Sequence, residues 1–208
     1  MKLFLASEAK HPDTIAKLND FVGGLKGKKI AYIPTANNGE NPYDEWRTDS
    51  STWNYINTVG AEVTPVVLEE YRNELVIEAL KNKDIIWFAG GACGYLMYWA
   101  RRCKIDKNIN EILKDSVYVG SSAGSMVTSH NLDIVEWYVG ETETGGSVMP
   151  GFGLVDFDIY PHYEDHLYDQ IKSLYKGKKL YLLKNGEEII VEDNKITVVG
   201  EERVITNG

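Results

Sequence analysis

The 208-residue chain is 43% hydrophobic and 25% charged, the balance of an ordinary soluble globular protein long enough to build a substantial core. Its net charge of −9, from 31 acidic against 22 basic side chains without a basic cluster, argues against nucleic acid or an anionic membrane surface as partner. No run approaches the ~18 apolar residues that would span a bilayer. Two cysteines, Cys93 and Cys103, are too few for a disulfide framework, so a reducing cytoplasm is the expected location.

The opening M-K-L-F-L-A-S-E-A-K turns charged after a short apolar stretch and reads as a first strand, Leu3–Ala6, rather than as a signal peptide. Pro12–Gly23 is predicted to be a helix with proline in its first turn. Lys29–Pro34 is a second strand that ends in a Thr35–Pro42 loop. Tyr43–Val59 reads as a helix closed by Gly60, Glu62–Leu68 as a strand and Asn73–Leu80 as a helix. Asp84–Phe88 is a strand running into Gly90-Gly91. Gly94–Arg102 and Ile109–Lys114 are helical, and Ser116–Val119 is the next strand. This alternation, with nearly continuous apolar strands, predicts an α/β fold: a mostly parallel sheet with helices on both faces. In such sheets sites lie beyond the carboxyl ends of the strands, where the loops Pro34–Asn38, Ala89–Cys93 and Gly120–Ser125 converge. Tyr163–Tyr175 looks helical. Lys179–Leu183, Glu188–Glu192 and Lys195–Val199 are short strands split by Asn185-Gly186 and Asp193-Asn194, and Asn-Gly is a hairpin signal. The tail therefore reads as an antiparallel hairpin edge, and residues 1–208 as one domain without linker or repeat.

The segment Val117–Val127, V-Y-V-G-S-S-A-G-S-M-V, carries the chemistry. An apolar strand leads into Gly120-Ser121-Ser122-Ala123-Gly124, the G-x-S-x-G elbow that bends a strand into a helix and displays one serine. The residues two before and two after must lack bulk for the turn to close. Backbone N–H groups of the following helix then face a developing oxyanion. A serine hydroxyl needs a positioned base. Among His11, His130, His162 and His166, the favoured candidate is His162, which directly follows Pro161 at the end of the Phe157–Tyr160 strand, with His166 as competitor. Ala123 supplies one oxyanion N–H by the logic of the elbow, and Gly90-Gly91 can bring a second close because no Cβ intervenes. Cys93 has no elbow around it and is a poor nucleophile candidate. His162 and His166 share a spacing of four but lack an evident third ligand, so no metal and no cofactor are expected. The five tryptophans and thirteen tyrosines read mainly as packing.

The succession I-I-W-F-A-G-G, V-Y-V-G-S-S-A-G-S and I-Y-P-H resembles the peptidase E (aspartyl dipeptidase) and cyanophycinase family of serine peptidases over most of the chain. The resemblance implies an α/β fold like that of class I glutamine amidotransferases and a Ser–His–acid triad. It places the nucleophile at Ser122, the base at His162 and the oxyanion donors at Gly91 and Ala123. The family's L-P-E-G segment, which supplies the third triad member, is here Leu183-Lys184-Asn185-Gly186. Asn185 thus stands where a glutamate is expected, with Asp165, Glu187 and Glu188 as alternative acids. Asparagine can orient an imidazole but cannot stabilise imidazolium by charge. The arginine with which aspartyl-specific members grip the substrate carboxylate has no counterpart between Asp165 and Lys176, which argues against a strict aspartyl preference.

The expected function is hydrolysis of dipeptides or short peptides by a serine peptidase, with a small peptide as the partner and homodimerisation left open. Two alternatives remain: a binding or regulatory protein on a degraded peptidase scaffold, motivated by Asn185, and an amidase or esterase for a non-peptide substrate.

Overall fold

The computed structural model describes residues 1–207. The described residues form ten strands: β1 (Lys2–Ala6), β2 (Lys29–Ile33), β3 (Glu62–Pro65), β4 (Ile85–Phe88), β5 (Val117–Ser121), β6 (Asp158–Tyr160), β7 (Lys179–Leu182), β8 (Glu188–Glu192), β9 (Lys195–Val199) and β10 (Val204–Thr206). The helices are α1 (Pro12–Phe21), α2 (Thr35–Asn38), α3 (Trp46–Asp49), α4 (Ser51–Ile56), α5 (Leu68–Tyr71), α6 (Val76–Leu80), α7 (Cys93–Arg102), α8 (Ile105–Ile112), α9 (Ala123–Met126) and α10 (Tyr168–Leu174). None is long and apolar enough to cross a membrane among the described residues.

Seven strands form one sheet in the order β3-β2-β4-β5-β1-β8-β9. The first five are mutually parallel, and β8 and β9 continue the sheet antiparallel. Both faces are covered, which is why the central strands read as unbroken apolar runs. Along β1, Leu3 and Leu5 join the core layer under α7 and α8, while Phe4 and Ala6 join the opposite layer with Ile15 and Leu18 of α1. The tail holds the expected antiparallel edge: β8 and β9 pair through an Asp193-Asn194 turn whose φ values, 49° and 65°, fit the tight hairpin type.

A second sheet, β10-β7-β6, packs into the same layer as α7 and α8 through Ile159, Leu180, Leu182 and Ile205. It corrects the hairpin expected at Asn185-Gly186. β7 pairs in parallel with β6 and antiparallel with β10, and the chain then crosses at residues 184–187 into the large sheet as β8. The turn residues do create a reversal, with Glu187 N–H donating to Lys184 O at 3.0 Å, but the apolar residues flanking it are claimed by different sheets. A local signal cannot register that competition.

Other expectations shift for local reasons. The helix expected over Tyr43–Val59 is two short ones, because Ser50 adopts an extended backbone (ψ 111°) and its Oγ caps α4 by accepting from Trp53 N–H at 3.2 Å. The Thr35–Pro42 loop holds the single turn α2. The Glu62–Leu68 strand stops at Pro65, and Leu68 opens α5, with its N–H held by Thr35 Oγ1. The helix expected from Tyr163 starts with a 3-10 turn at Asp165–Leu167 and becomes α10 only at Tyr168.

Candidate active site

β5 ends at Ser121, and Ser122 bends the chain into α9 with φ 50° and ψ −114°. That conformation is strained for a residue with a Cβ, at a cost of roughly 1–3 kcal/mol. The surroundings impose it. Ser122 N–H donates to the carbonyls of Ala6 and Ser7, each at 3.1 Å, and Ser122 O accepts from Ser125 and Met126 N–H. Ser125 Oγ donates to Ala6 O at 2.7 Å, tying the far side of the bend to β1. Both framing glycines are sterically required: a Cβ on Gly120 would sit 2.5 Å from Gly124 O, and one on Gly124 would collide with Phe88 O on the neighbouring strand. α9 is a single turn, so any stabilisation of negative charge here falls to individual N–H groups rather than to a helix dipole.

Ser122 lines a cleft of about 740 Å³ beyond the carboxyl ends of the parallel strands. Gly90, Gly91 and His162 line the same cleft, and Ala123 is buried directly behind Ser122. Gly91 holds φ +132°, and a Cβ there would collide with Ala36 O, so only glycine fits against α2. Neither Gly91 N–H nor Ala123 N–H is engaged in a hydrogen bond among the described residues.

His162 reaches the cleft from the second sheet. The parallel register of β6 with β7 sets Tyr160 beside Leu182, and the pairing continues as Leu183 N–H donates to Tyr160 O and Tyr163 N–H to Leu183 O, each at 3.0 Å. The residues just beyond, His162 and Asn185, are thereby brought side by side. His162 Nδ1 lies 2.6 Å from Asn185 Oδ1. His162 adopts φ +53°, and Tyr138 Oη donates to the preceding carbonyl of Pro161 at 2.6 Å. No hydrogen bond joins His162 to Ser122 Oγ among the described residues; such bonds commonly tighten only with substrate bound.

The remaining candidates are occupied elsewhere. His166 pairs with Glu164, His130 with Asp156, and His11 caps α1 by accepting from Asp13 N–H. Asp165 pairs with Lys184, which draws its carboxyl below the usual range. Glu187 is held by Arg203 and by the N–H groups of Lys184 and Glu201, and Glu188 is buried against Thr14. None of the three contacts the imidazole of His162. Cys93 is buried with Sγ 3.9 Å from Ala123 O, and burial, reinforced by Glu143 and Glu40, pushes its thiol well up, away from the reactive thiolate.

Sequence reasoning missed Ser7, the residue following β1. Its side chain is fully buried and its Oγ accepts from His162 N–H at 2.8 Å and donates to Asn185 Oδ1 at 3.2 Å. Its only sequence signal is its place at the carboxyl end of a central strand. The cleft's charge was also missed. Glu8, Glu40, Asp49, Glu141 and Glu143 line it, whereas its one lysine, Lys10, pairs with Glu8 at 3.2 Å. Glu143 takes the N–H groups of Gly94 and Tyr95 at the start of α7. Glu40 has its carboxyl raised by burial and then by Glu141 and Glu143.

A parallel sheet with a strained serine at a strand–helix bend and a histidine on the same cleft defines an α/β protein of the serine-hydrolase type. Peptidase family S51 is matched over residues 3–199, and the chain belongs to that family, the peptidase E family of serine peptidases. It is 27% identical over 202 residues to an uncharacterized peptidase of Listeria monocytogenes, covering 93% of this chain and 96% of that one. It is also 28% identical over 165 residues to one from Pasteurella multocida, covering 78% and 77%. Among solved structures, a proposed peptidase E protein from Listeria monocytogenes EGD-e superposes with a TM-score of 0.77 at 25% identity, over 95% of this chain and 97% of that one. A peptidase from an acI-B1 actinobacterium shares the fold, with a TM-score of 0.71 at 19% identity over 100% and 94% of the two chains.

Proposed function

We propose that this serine peptidase hydrolyses dipeptides or other short peptides, with Ser122 as nucleophile and His162 as general base. The observation that carries the reading is the pairing, on one cleft, of a strained elbow serine with a histidine whose Nδ1 rests 2.6 Å from Asn185 Oδ1. With the Nδ1 proton directed at that oxygen, Nε2 is left as the ring's acceptor. Ser122 Oγ attacks the scissile carbonyl carbon as its proton passes to Nε2. The carbonyl oxygen becomes an oxyanion received by Gly91 and Ala123 N–H. Collapse of this intermediate breaks the C–N bond, and the Nε2 proton leaves with the amine. Water, deprotonated by the same nitrogen, then releases the acid and restores Ser122. Asn185 orients the ring without neutralising the imidazolium, so turnover is expected below that of a triad with a carboxylate.

The cleft also bears on substrate. Five carboxylates and one already-paired lysine form a negative field that attracts ammonium and guanidinium groups and repels an aspartyl side chain. The favoured substrates are therefore short peptides with a free amino terminus or a basic side chain. The two buried free cysteines suit a reducing compartment, and we read the location as cytoplasmic.

A fluorophosphonate probe tests the nucleophile. Labelling should map to Ser122 and vanish in Ser122→Ala; a Ser122→Ala protein that is still labelled, or still releases amino acids from dipeptides, overturns the assignment.

A further inference from the structure

We infer that Ser7 is a positioning residue whose buried hydroxyl fixes which end of the Asn185 amide faces His162, and so which imidazole nitrogen carries the proton. The inference rests on the roles proposed above for Ser122 and His162. An amide, unlike a carboxylate, presents two chemically opposite ends: Oδ1 only accepts and Nδ2 only donates. If Oδ1 faces His162, Nδ1 holds the proton and Nε2 is a base. If Nδ2 faces His162, Nδ1 must accept, the proton moves to Nε2, and the ring has no lone pair with which to take a proton from Ser122. A triad built on asparagine therefore depends on something that holds the amide one way round.

Ser7 meets that need through the chemistry of its two neighbours. His162 N–H, an obligate donor, points at Ser7 Oγ from 2.8 Å, so the hydroxyl is the acceptor in that bond. The Ser7 proton then needs an acceptor of its own, and the neighbour 3.2 Å away is the Asn185 amide. With Nδ2 turned toward Ser7, the hydroxyl would lie between two donors. Its proton would be unsatisfied on a side chain with 0% exposure, an arrangement that folded proteins avoid. Oδ1 alone completes the set, receiving both Ser7 Oγ–H and His162 Nδ1–H. The same serine steadies the nucleophile through its backbone, since Ser7 O accepts from Ser122 N–H at 3.1 Å. That contact persists when only the side chain is changed.

The test is a cycle of Ser7→Ala and Asn185→Asp on the full chain. Both oxygens of a carboxylate accept, so an aspartate at 185 needs no orienting partner. Ser7→Ala alone should lower kcat by about 10–100-fold, scaled from the loss seen when a triad imidazole takes the wrong tautomer, with KM little changed. In the Asn185→Asp background the same substitution should change kcat by less than about threefold, which a purely structural role for Ser7 would not produce. Equal losses in both backgrounds overturn the inference. Nitrogen-15 NMR of labelled histidine gives a readout that requires no variant to fold: the resting wild-type protein must hold His162 as the Nδ1–H tautomer. A resting Nε2–H tautomer overturns the inference outright. Ser122→Ala separates the two claims, because turnover surviving that change removes the proposed roles while leaving the wild-type tautomer to decide the orientation of Asn185.

Discussion

Ser122 and His162 stand on the same cleft but are delivered to it by two differently built regions. Ser122 belongs to the five parallel strands, where β5 lies between β4 and β1 and every residue of the bend is fixed by a neighbour in the sheet. Gly120 meets Gly124, Gly124 meets Phe88, and the Ser122 amide meets Ala6 and Ser7. His162 and Asn185 come from a three-stranded sheet whose β6 and β7 are far apart in sequence. They adjoin only because Tyr160 registers with Leu182. The first region constrains its serine chiefly through backbone hydrogen bonds and sterics, with the Ser125 hydroxyl adding one tie to β1. The second constrains its histidine through polar side chains, which can be altered without disturbing the layers beneath. Structure and activity should therefore separate cleanly in the second region and hardly at all in the first.

The largest expected effect tests the first half of that contrast. Gly124→Ala places a methyl group against the Phe88 carbonyl, on a strand whose position is set by β2 and β5 on either side. No flexible side chain is there to yield, so a loss of about 3 kcal/mol or more is expected in urea unfolding, with probe labelling of Ser122 abolished. An unchanged midpoint with labelling intact would mean that the bend is far softer than its contacts imply.

In the second region the balance reverses. Asn185→Ala removes the hydrogen bonds from His162 and from the buried Ser7 hydroxyl, which costs the folded state about 1–3 kcal/mol. With the ring free to turn and to take either tautomer, kcat should fall by about 10²-fold or more. A variant that loses stability and activity in proportion would erase the distinction between the two regions.

The same contrast governs what could be read from the chain alone. The bend at Ser122 was legible because Gly120, Gly124 and the apolar run before them are adjacent in sequence and the constraint is local. The alternation of strands and helices was legible because burial on both faces writes itself into Leu3–Ala6, Ile30–Ile33 and Ile85–Phe88. Asn185 was picked out as a family position, yet the Asn-Gly turn suggested a hairpin, since nothing nearby reports that Leu180 and Leu182 pair with β6 and β10. The short strand Val204–Thr206 has no sequence signal of its own, because its three residues follow a charged run and gain their order from Tyr181 and Leu180. Ser7 carries no motif at all. Its part in the site exists only after β1, β6 and the 184–187 crossing have come together.

The cleft's charge offers a smaller and graded test. Substrate preference is set by side chains around the rim, so it should move without touching either sheet. At equal concentration, Lys-X or Arg-X dipeptides should be cleaved several-fold faster than Asp-X dipeptides, a difference of about 1 kcal/mol. Glu40→Gln with Glu141→Gln should narrow that ratio without changing the unfolding midpoint. Faster cleavage of Asp-X peptides by the unaltered protein would rule out the charge argument.

Glu188 lies where the two regions meet, opening β8 opposite Ala6 of β1 and one residue beyond the crossing that carries Asn185. Its side chain is fully buried; Thr14 Oγ1 donates to Oε2 at 3.0 Å, while Oε1 has no hydrogen-bond partner among the described residues. Burial pushes its pKa up to about 7, against the opposing pull of the Thr14 hydrogen bond and of Lys17. In the unfolded chain a glutamic acid ionises near 4.5. Between those values the folded protein keeps a proton that the unfolded chain has released, so this group's contribution to stability declines as pH rises from about 4.5 to about 7 and levels off above. Glu188→Gln should remove that decline. Its Tm relative to the unaltered protein should therefore be higher at pH 8 than at pH 5, by about 2–4 °C for each kcal/mol recovered in a chain of this size. The turnover of the variant at pH 8 should match that of the unaltered protein, because the carboxylate touches neither His162 nor Asn185. A Tm offset that is the same at both pH values would show that Glu188 does not titrate in this range. A loss of turnover with the stability gain intact would show that the junction transmits strain to Asn185, and that the two regions are less separable than their contacts indicate.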